Sequence, residues 1–362
     1  MPARHVDVAP PGAAPYRITI AEGIAASPEP ALAEARVAGR LVVVSTPPIW
    51  RAIHGRLGPT FRDAEPLLIP DGERNKHMAN VARIYDGLVR TNADRATTLV
   101  AIGGGVLGDT AGFAAATFLR GLKLVQVPTT LLAQVDASVG GKVGVNHPSG
   151  KNLIGAFYQP RAVLIDPTVL ETLPRREFRA GLYEVVKYAV IASPSLFTLL
   201  QGRMRDLFAR DPDVLVPVLE ECCAIKARIV EADEFEHGPR RILNYGHTIG
   251  HALEAITKYR RFRHGEAVGF GMLAMARLAV ARAAMPRDTA DAVASLIATM
   301  GPLPSVSDLS AREALAAIAH DKKVVDGTLH AVLATGIGQT SIVNNVTPQE
   351  FVSAMMAIGM RA

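Results

Sequence analysis

The segment Arg241-Ile242-Leu243-Asn244-Tyr245-Gly246-His247-Thr248-Ile249-Gly250-His251 sets two imidazoles four residues apart where a helix should begin, and a third follows in Arg263-His264-Gly265-Glu266. That spacing puts His247 and His251 on one helical face. Neutral imidazole is the commonest transition-metal ligand, and two helical histidines joined by a histidine or carboxylate from elsewhere build a three-ligand site with an open position. An open position serves chemistry rather than scaffolding. Pairs of this spacing also occur on amphipathic helices whose histidines pack or face water, so the weight of this one comes from its neighbours.

A second candidate is Ala101-Ile102-Gly103-Gly104-Gly105-Val106-Leu107-Gly108-Asp109, which follows an apolar run and opens a helical pattern. Backbone N–H groups at such a helix start can cradle a phosphate, and glycine lets the backbone come close. The spacing departs from G-x-G-x-x-G, and a tight turn explains the cluster equally well. Asp71-Gly72-Glu73 offers carboxylates suited to ribose hydroxyls, or a turn that caps the helix from Lys76. Thr129-Thr130 fits a hydroxyl contact or a helix N-cap. From Gln134 to Asn152 the chain reads as a long glycine-punctuated loop carrying Asp136, Lys142, Asn146, Lys151 and Asn152. Loops of that length usually bind something, and these groups suit an oxygen-rich anion. Lys187 and Lys226 share helical segments with Glu184 and Glu221, where a solvated helix face accounts for them as well. Arg120 and Arg240 taken singly read the same way.

The elements that must position these residues fall into two halves. Apolar runs at Leu41 to Thr46, Leu67 to Pro70, Thr97 to Ile102, Leu124 to Pro128 and Val163 to Asp166 alternate with helical segments such as Lys76 to Arg90 and Asp109 to Phe118. That rhythm predicts a largely parallel sheet covered by helices. After Pro174 the period becomes helical, with segments 176–191, 194–208, 213–231, 244–259, 266–284, 289–300 and 311–319, and a hairpin is predicted at His330 to Val343. The expected architecture is an α/β, nucleotide-type domain at 1–177 followed by a helical domain at 178–362, with the active site in the cleft between them. At 362 residues the chain exceeds what one core usually supports.

Composition narrows the function further. Hydrophobic residues are 49% and charged residues 20%, and the formal charge of +5 is spread without long like-charge runs, which argues against nucleic-acid or membrane partners. The only cysteines, Cys222 and Cys223, are adjacent and make a poor crosslink, and the N-terminus lacks a signal-peptide apolar core. The expected location is therefore cytoplasmic.

Several of these stretches together resemble the 3-dehydroquinate synthase family of sugar-phosphate cyclases. The matching segments are GGGVLGDTAGFAAATFLRG, QVPTTLLAQVDASVGGKVGVNHPSGKNLIGAFYQP, GLYEVVKYAVI, ADEFEHGPRRILNYGHTIGHALE, RHGEAV and HDKKV, spanning about residues 71 to 330. The resemblance implies a Rossmann-like NAD-binding domain followed by an all-helical metal-binding domain, and a homodimer acting on a small sugar phosphate. It makes Glu184, His247 and His264 the ligands of one divalent metal, Zn2+ with Co2+ as the alternative, and moves His251 from the ligand set to acid–base work. It lines the NAD+ site with Asp71, Gly72, Glu73, Lys76, Gly104, Gly105, Val106, Gly108, Asp109, Thr129, Thr130, Lys142, Lys151, Val169, Leu170, Glu171 and Thr172. Lys226 and Arg240 would hold a substrate carboxylate, while Asp136, Lys187 and Glu236 would meet hydroxyls or the metal surroundings. Arg120, Lys142, Asn152, Asn244 and one of Lys322 or Lys323 would gather round the phosphate, with Arg120 reaching across a dimer interface.

The implied reaction converts 3-deoxy-D-arabino-heptulosonate 7-phosphate to 3-dehydroquinate and phosphate by transient oxidation with NAD+, phosphate elimination, re-reduction and an intramolecular aldol closure. The sequence departs from the family at Ser45-Thr46-Pro47-Pro48, where relatives usually offer Asp or Asn for a ribose contact. The neighbouring readings are a cyclase making a 2-epi-5-epi-valiolone or 2-deoxy-scyllo-inosose product, and a metal-dependent polyol dehydrogenase.

Overall fold

The computed structural model describes residues 2–319, 324–325 and 328–362. Lys322 and Lys323 therefore lie outside the described residues. The contacts divide the chain into two compact units, Met1–Phe178 with Arg210–Phe235, and Arg179–Ala209 with Glu236–Ala362.

The first unit runs β1 (Arg4–Val8), β2 (Tyr16–Ile20), α1 (Glu29–Glu34), β3 (Leu41–Ser45), α2 (Pro47–Ile53), α3 (Pro59–Arg62), β4 (Leu67–Leu68), α4 (Met78–Arg90) and β5 (Thr98–Gly103). It continues through α5 (Gly105–Thr117), β6 (Lys123–Pro128), β7 (Lys142–His147), β8 (Gly150–Phe157) and β9 (Ala162–Ile165). Seven strands form one sheet in the order β1-β2-β9-β6-β5-β3-β4. The β1–β2 pair is antiparallel and every other pair is parallel.

Alternation along the strands feeds two cores. Val42, Val44, Leu99 and Ala101 pack with Ile84, Leu88 and Ala111, whereas Val43, Val100, Ile102, Val125 and Val127 pack on the other face with Leu32, Ile53 and Phe61. A strand buried on both sides reads as a continuous apolar run, which is why β3, β5, β6 and β9 are visible in the sequence. Each fully buried Val, Leu or Ile contributes about 1.5–3 kcal/mol. Because these strands are parallel, the segments after Ser45, Gly103 and Pro128 leave the sheet at one edge, where ligands of such folds bind.

Two features differ from the sequence expectation. The first twenty residues, ahead of the first strand expected at Leu41, contain β1 and β2, and β2 joins the sheet through a parallel pairing with β9. The presumed loop from Gln134 to Asn152 is a π-helical turn at Ala133–Ala137 followed by the antiparallel β7–β8 hairpin. Its strand signature is hidden by glycine. Gly144 and Gly155 sit opposite one another, and a Cβ on either would come within 2.5 Å of a backbone carbonyl across the pair.

The chain then forms α6 (Arg175–Ala192), α7 (Pro194–Ala209) and α8 (Pro212–Ala232). The division of compact units does not follow a single cut at 177/178, because α8 groups with the N-terminal unit. There it lies against β1 and buries an apolar face that includes Val214, Leu215, Val218 and Leu219. The second unit continues with α9 (His247–Ile256), α10 (His264–Ala281), α11 (Arg287–Thr299), α12 (Ala311–Ala319), β10 (Val324–Val325), β11 (Thr328–Leu329), β12 (Ala331–Gly336), β13 (Gln339–Val343) and α13 (Pro348–Ala357). Helix α10 is apolar on most of its circumference, and α9, α11, α13 and β12 pack round it. The β12–β13 hairpin lies where the alternation near His330 predicts it. Among the described residues, no helix is long and apolar enough to cross a membrane.

Candidate active site

In the second unit three helices deliver one cluster. Glu184 comes from α6, His247 and His251 from α9, and His264 is the first residue of α10. Glycine allows the close approach. Gly246 holds φ at 78° just before α9, and a Cβ there would come within 2.9 Å of the Val268 carbonyl on α10. A Cβ on Gly265 would come within 1.8 Å of the Ala180 carbonyl on α6.

Ligand atoms of His247, His251 and His264 all lie within 4.8 Å of one another. Oε1 of Glu184 is 3.5 Å from Nε2 of His247 and 3.7 Å from Nε2 of His264. Its other oxygen, Oε2, is in ion-pair contact with Lys187 one turn along the same helix. The two oxygens are thus divided, one toward a cation and one toward the imidazoles. Opposite Nε2, Nδ1 of His247 faces the Tyr245 carbonyl at 3.1 Å, and Nδ1 of His264 faces Oε2 of Glu254 at 3.2 Å. A carbonyl and an ionised carboxylate only accept, so each Nδ1 carries a proton, and in the neutral imidazole Nε2 is the nitrogen that keeps its lone pair, on the side of Glu184.

This arrangement fits a divalent ion. Glu184 is wholly buried, and among the described residues Oε1 accepts no hydrogen bond, while Oε2 is taken up by the Lys187 ammonium. Burying a carboxylate without such partners is costly unless a cation compensates it. An imidazole-rich set with one carboxylate suits zinc or cobalt better than magnesium or calcium. Oε1 of Glu184 lies near His247 and His264, and the three imidazole rings, His251 included, lie 5.2 to 5.8 Å from one another.

In the same unit, Glu236 sits at φ 63°, and its carboxylate accepts a hydrogen bond from Nδ2 of Asn244 at 2.5 Å. Arg240, in the 3-10 turn Pro239–Asn244, is almost fully buried. Tyr183, which precedes Glu184 in the chain, is buried, and that burial pushes its phenol up to about 12.

The first unit holds the remaining candidates. Gly104 caps α5 at the end of β5, with φ −76° rather than a left-handed value. Space there is tight, since a Cβ would come within 3.1 Å of the Thr130 side chain, and one on Gly108 within 2.8 Å of the end of the Gln126 side chain. Lys76 pairs with Asp109 and donates to Oδ1 of Asn152 at 2.6 Å. Burial raises the Asp109 carboxyl above its ordinary value, and the Lys76 ammonium partly offsets this. Asn152 has φ 50°, and its N–H donates to Oδ1 of Asn146 at 2.9 Å. Glu73 accepts from Asn146 at 2.8 Å and lies 3.6 Å from the Lys151 ammonium. The Asp71 carbonyl accepts from Asn75, and Gly72 supplies φ 94° to that turn.

Thr130 accepts from the N–H of Ala133 and so caps the next turn, whereas Thr129 is buried. Val169 and Leu170 are buried, Thr172 bonds the Val169 carbonyl, and Glu171 meets Arg56 at 2.8 Å. Ser45, where the family pattern departs, donates to the Ile102 carbonyl inside the sheet. Lys226 bonds both the carbonyl and the carboxylate of Asp136 at 2.6 and 2.5 Å. Lys142 is exposed at the start of β7. Arg120 is exposed beyond α5, in a run where Leu119, Arg120 and Gly121 take φ of 50°, 66° and 131°.

Sequence reasoning missed Glu254 and Asn146 as partners. Glu254 had a legible signal, because it stands three residues after His251 and seven after His247, on the same helical face. Asn146 was already among the polar groups of its glycine-punctuated stretch, but its partners could not be read, since those contacts depend on the β7–β8 hairpin.

The family model described as "3-dehydroquinate synthase N-terminal" matches residues 66–180, and "3-dehydroquinate synthase C-terminal" matches residues 181–324. A 3-dehydroquinate synthase from Acaryochloris marina is 46% identical over 356 residues, covering 94% of this chain and 95% of its own length. One from Synechococcus sp. is 47% identical over 357 residues, covering 95% and 96%. Among solved structures, a 2-epi-5-epi-valiolone synthase from Streptomyces hygroscopicus subsp. jinggangensis 5008, with NAD+ and Zn2+ bound, superposes with a TM-score of 0.86 at 30% identity over 95% of this chain and 96% of that one. A 2-deoxy-scyllo-inosose synthase complexed with carbaglucose-6-phosphate, NAD+ and Co2+ gives 0.85 at 27% identity, over 98% and 99%. A probable glycerol dehydrogenase from Sinorhizobium meliloti, at 18% identity and a TM-score of 0.62 over 94% and 96%, shares the fold alone. With both family models matched in succession along the chain and relatives nearly half identical over almost their full length, this chain belongs to the 3-dehydroquinate synthase family.

Proposed function

We infer that the chain converts 3-deoxy-D-arabino-heptulosonate 7-phosphate to 3-dehydroquinate and phosphate, a carbon–oxygen lyase step of the shikimate pathway in aromatic amino acid biosynthesis. The observation that carries this is the end-to-end identity of 46–47% to dehydroquinate synthases, against 30% and 27% to the two solved cyclases of other product type.

NAD+ and one divalent ion, zinc or cobalt, are the groups the chain would hold. When bound, they supply reversible hydride transfer and Lewis-acid polarisation of a substrate hydroxyl. Glu184, His247 and His264 would hold the ion. Lys187 pairs with Oε2 of Glu184, and His251 stands beside the ligands as an acid–base group. Asp71 to Lys76, Gly104 to Asp109, Thr129, Thr130, Lys142, Lys151 and Val169 to Thr172 would line the dinucleotide; Val169 and Leu170, buried in the core, offer only backbone. Lys226 and Arg240 would clamp the substrate carboxylate, with Asp136, Glu236 and Asn244 orienting neighbouring polar groups. Arg120, Lys142 and Asn152 would face the phosphate, and one of Lys322 or Lys323 completes that set. Two cationic clusters suit a substrate with an anion at each end. These cofactor-side residues all fall within 1–177 and the metal ligands within 178–362, and that is the functional division proposed.

The working form is a cytoplasmic homodimer. Cys222 and Cys223 are buried outside any disulfide, which supports a reducing compartment. The exposed left-handed turn carrying Arg120 supports its use by a partner copy; sedimentation that finds only monomers at assay concentration would reject this.

Phosphate release decides the activity. Heptulosonate phosphate should be turned over without net accumulation of reduced nicotinamide, and chelation should abolish turnover until zinc or cobalt is restored. Turnover of sedoheptulose 7-phosphate or glucose 6-phosphate instead would assign another cyclase. Stoichiometric reduced nicotinamide would assign a dehydrogenase.

A further inference from the structure

We propose that Glu254 is a positioning residue for the metal centre: its carboxylate holds the Nδ1 proton of His264 and thereby presents Nε2, unprotonated, toward Glu184. This rests on reading Glu184, His247 and His264 as the ligand set.

The two ligand imidazoles are held differently. His247 is oriented by the Tyr245 carbonyl at 3.1 Å, a backbone acceptor that side-chain substitution leaves in place. His264 stands at the first position of α10, and its side chain keeps 28% exposure. Nδ1 of its ring meets Oε2 of Glu254 at 3.2 Å, a side-chain contact that substitution can remove. Glu254 itself is only 4% exposed. A carboxylate is kept at such a position where its charge is used, because burial alone disfavours it. Helix α9 therefore carries one imidazole toward Glu184 from its first residue and, two turns later, the acceptor that aims the imidazole of α10. Outer partners of this kind set ligand tautomer and orientation, and their loss typically costs on the order of 10- to 100-fold in metal affinity.

The test uses full-length, metal-free protein. Zinc affinity is read by competition with a chromophoric chelator, and ligand geometry by the visible absorption of the cobalt form. Glu254→Ala should weaken zinc binding by on the order of 10- to 100-fold and alter the cobalt spectrum. Glu254→Gln, whose Oε1 still accepts from Nδ1, should recover most of the affinity, a rescue that a role resting on the negative charge alone would not produce. His264→Ala serves as the control for the ligand set. Unchanged affinity in Glu254→Ala beside lost affinity in His264→Ala would overturn the positioning role and leave the ligand set standing. Unchanged affinity in His264→Ala would overturn the ligand set and the proposal with it. If Glu254→Ala does not fold, Glu254→Gln carries the test: affinity within a few-fold of the parent supports the role, and a loss as large as that of His264→Ala refutes it.

Discussion

The Lys187 ammonium contacts Oε2 of Glu184 one helical turn away, with side-chain exposures of 1% and 0%, so the carboxylate at the centre of the cluster has a cation of its own. Removing one partner of a buried pair leaves the other uncompensated and costs about 3–5 kcal/mol. Metal-free Lys187→Met should therefore unfold at clearly lower denaturant than the metal-free parent. Zinc should recover part of the loss, because a divalent ion compensates the same carboxylate and binding stabilises the folded state by mass action. Equal metal-free stability of the two proteins would show that the pair carries no such weight.

Gly265 gives a steric test of how the cluster is assembled. Its missing Cβ is where the Ala180 carbonyl of α6 would be met at 1.8 Å, and backbone cannot rotate aside as a side chain can. Gly265→Ala should push the start of α10 off α6, separating His264 from Glu184 at a cost of about 1–3 kcal/mol. Zinc affinity and thermal stability should fall together. A variant with parental values for both would mean that the helices accommodate the methyl group without moving the site.

The C-terminal helix should be acid-sensitive. Arg282, just past α10, grips both oxygens of Glu350 at 2.7 and 2.8 Å, and Thr347 adds backbone and hydroxyl bonds from the N-cap of α13. The Arg282 bonds are the largest reason the Glu350 carboxyl is lowered from 4.5 to about 2. A depressed folded-state value stabilises above the unfolded value, and the benefit disappears as pH falls through the folded one. The stability gap between the parent and Glu350→Gln should thus be full above pH 4.5 and close as pH approaches about 2. Thermal melts of both proteins across that range provide the measurement, and a gap independent of pH would refute the assignment.

Thiol chemistry offers a check on α8. Cys223 donates to the Gln134 carbonyl at 3.4 Å, and burial pushes its thiol up to about 12. Reactivity requires the thiolate and access to it. Neither Cys222 nor Cys223 should be alkylated by iodoacetamide in the native protein at neutral pH, and both should react after denaturation. Native labelling of Cys223 would mean that α8 is not seated as described.

Residue order alone determined the parallel sheet core, because strands buried on both faces must be written as apolar runs, and it determined the helical second half through a period of 3.6. It also placed His247 and His251 on one face, since helical spacing is a local rule. Glycine-rich pairing concealed the β7–β8 hairpin, and the partner of α8 could not be read from α8 itself, whose apolar stripe would suit either unit. Tertiary structure alone decided that Glu184, eighty residues before His264, shares its Oε1 with that imidazole and with His247. It likewise decided that Glu254 faces His264. Such meetings depend on how near one helix can come to another, and here that distance is set by side chains that Gly246 and Gly265 do not have.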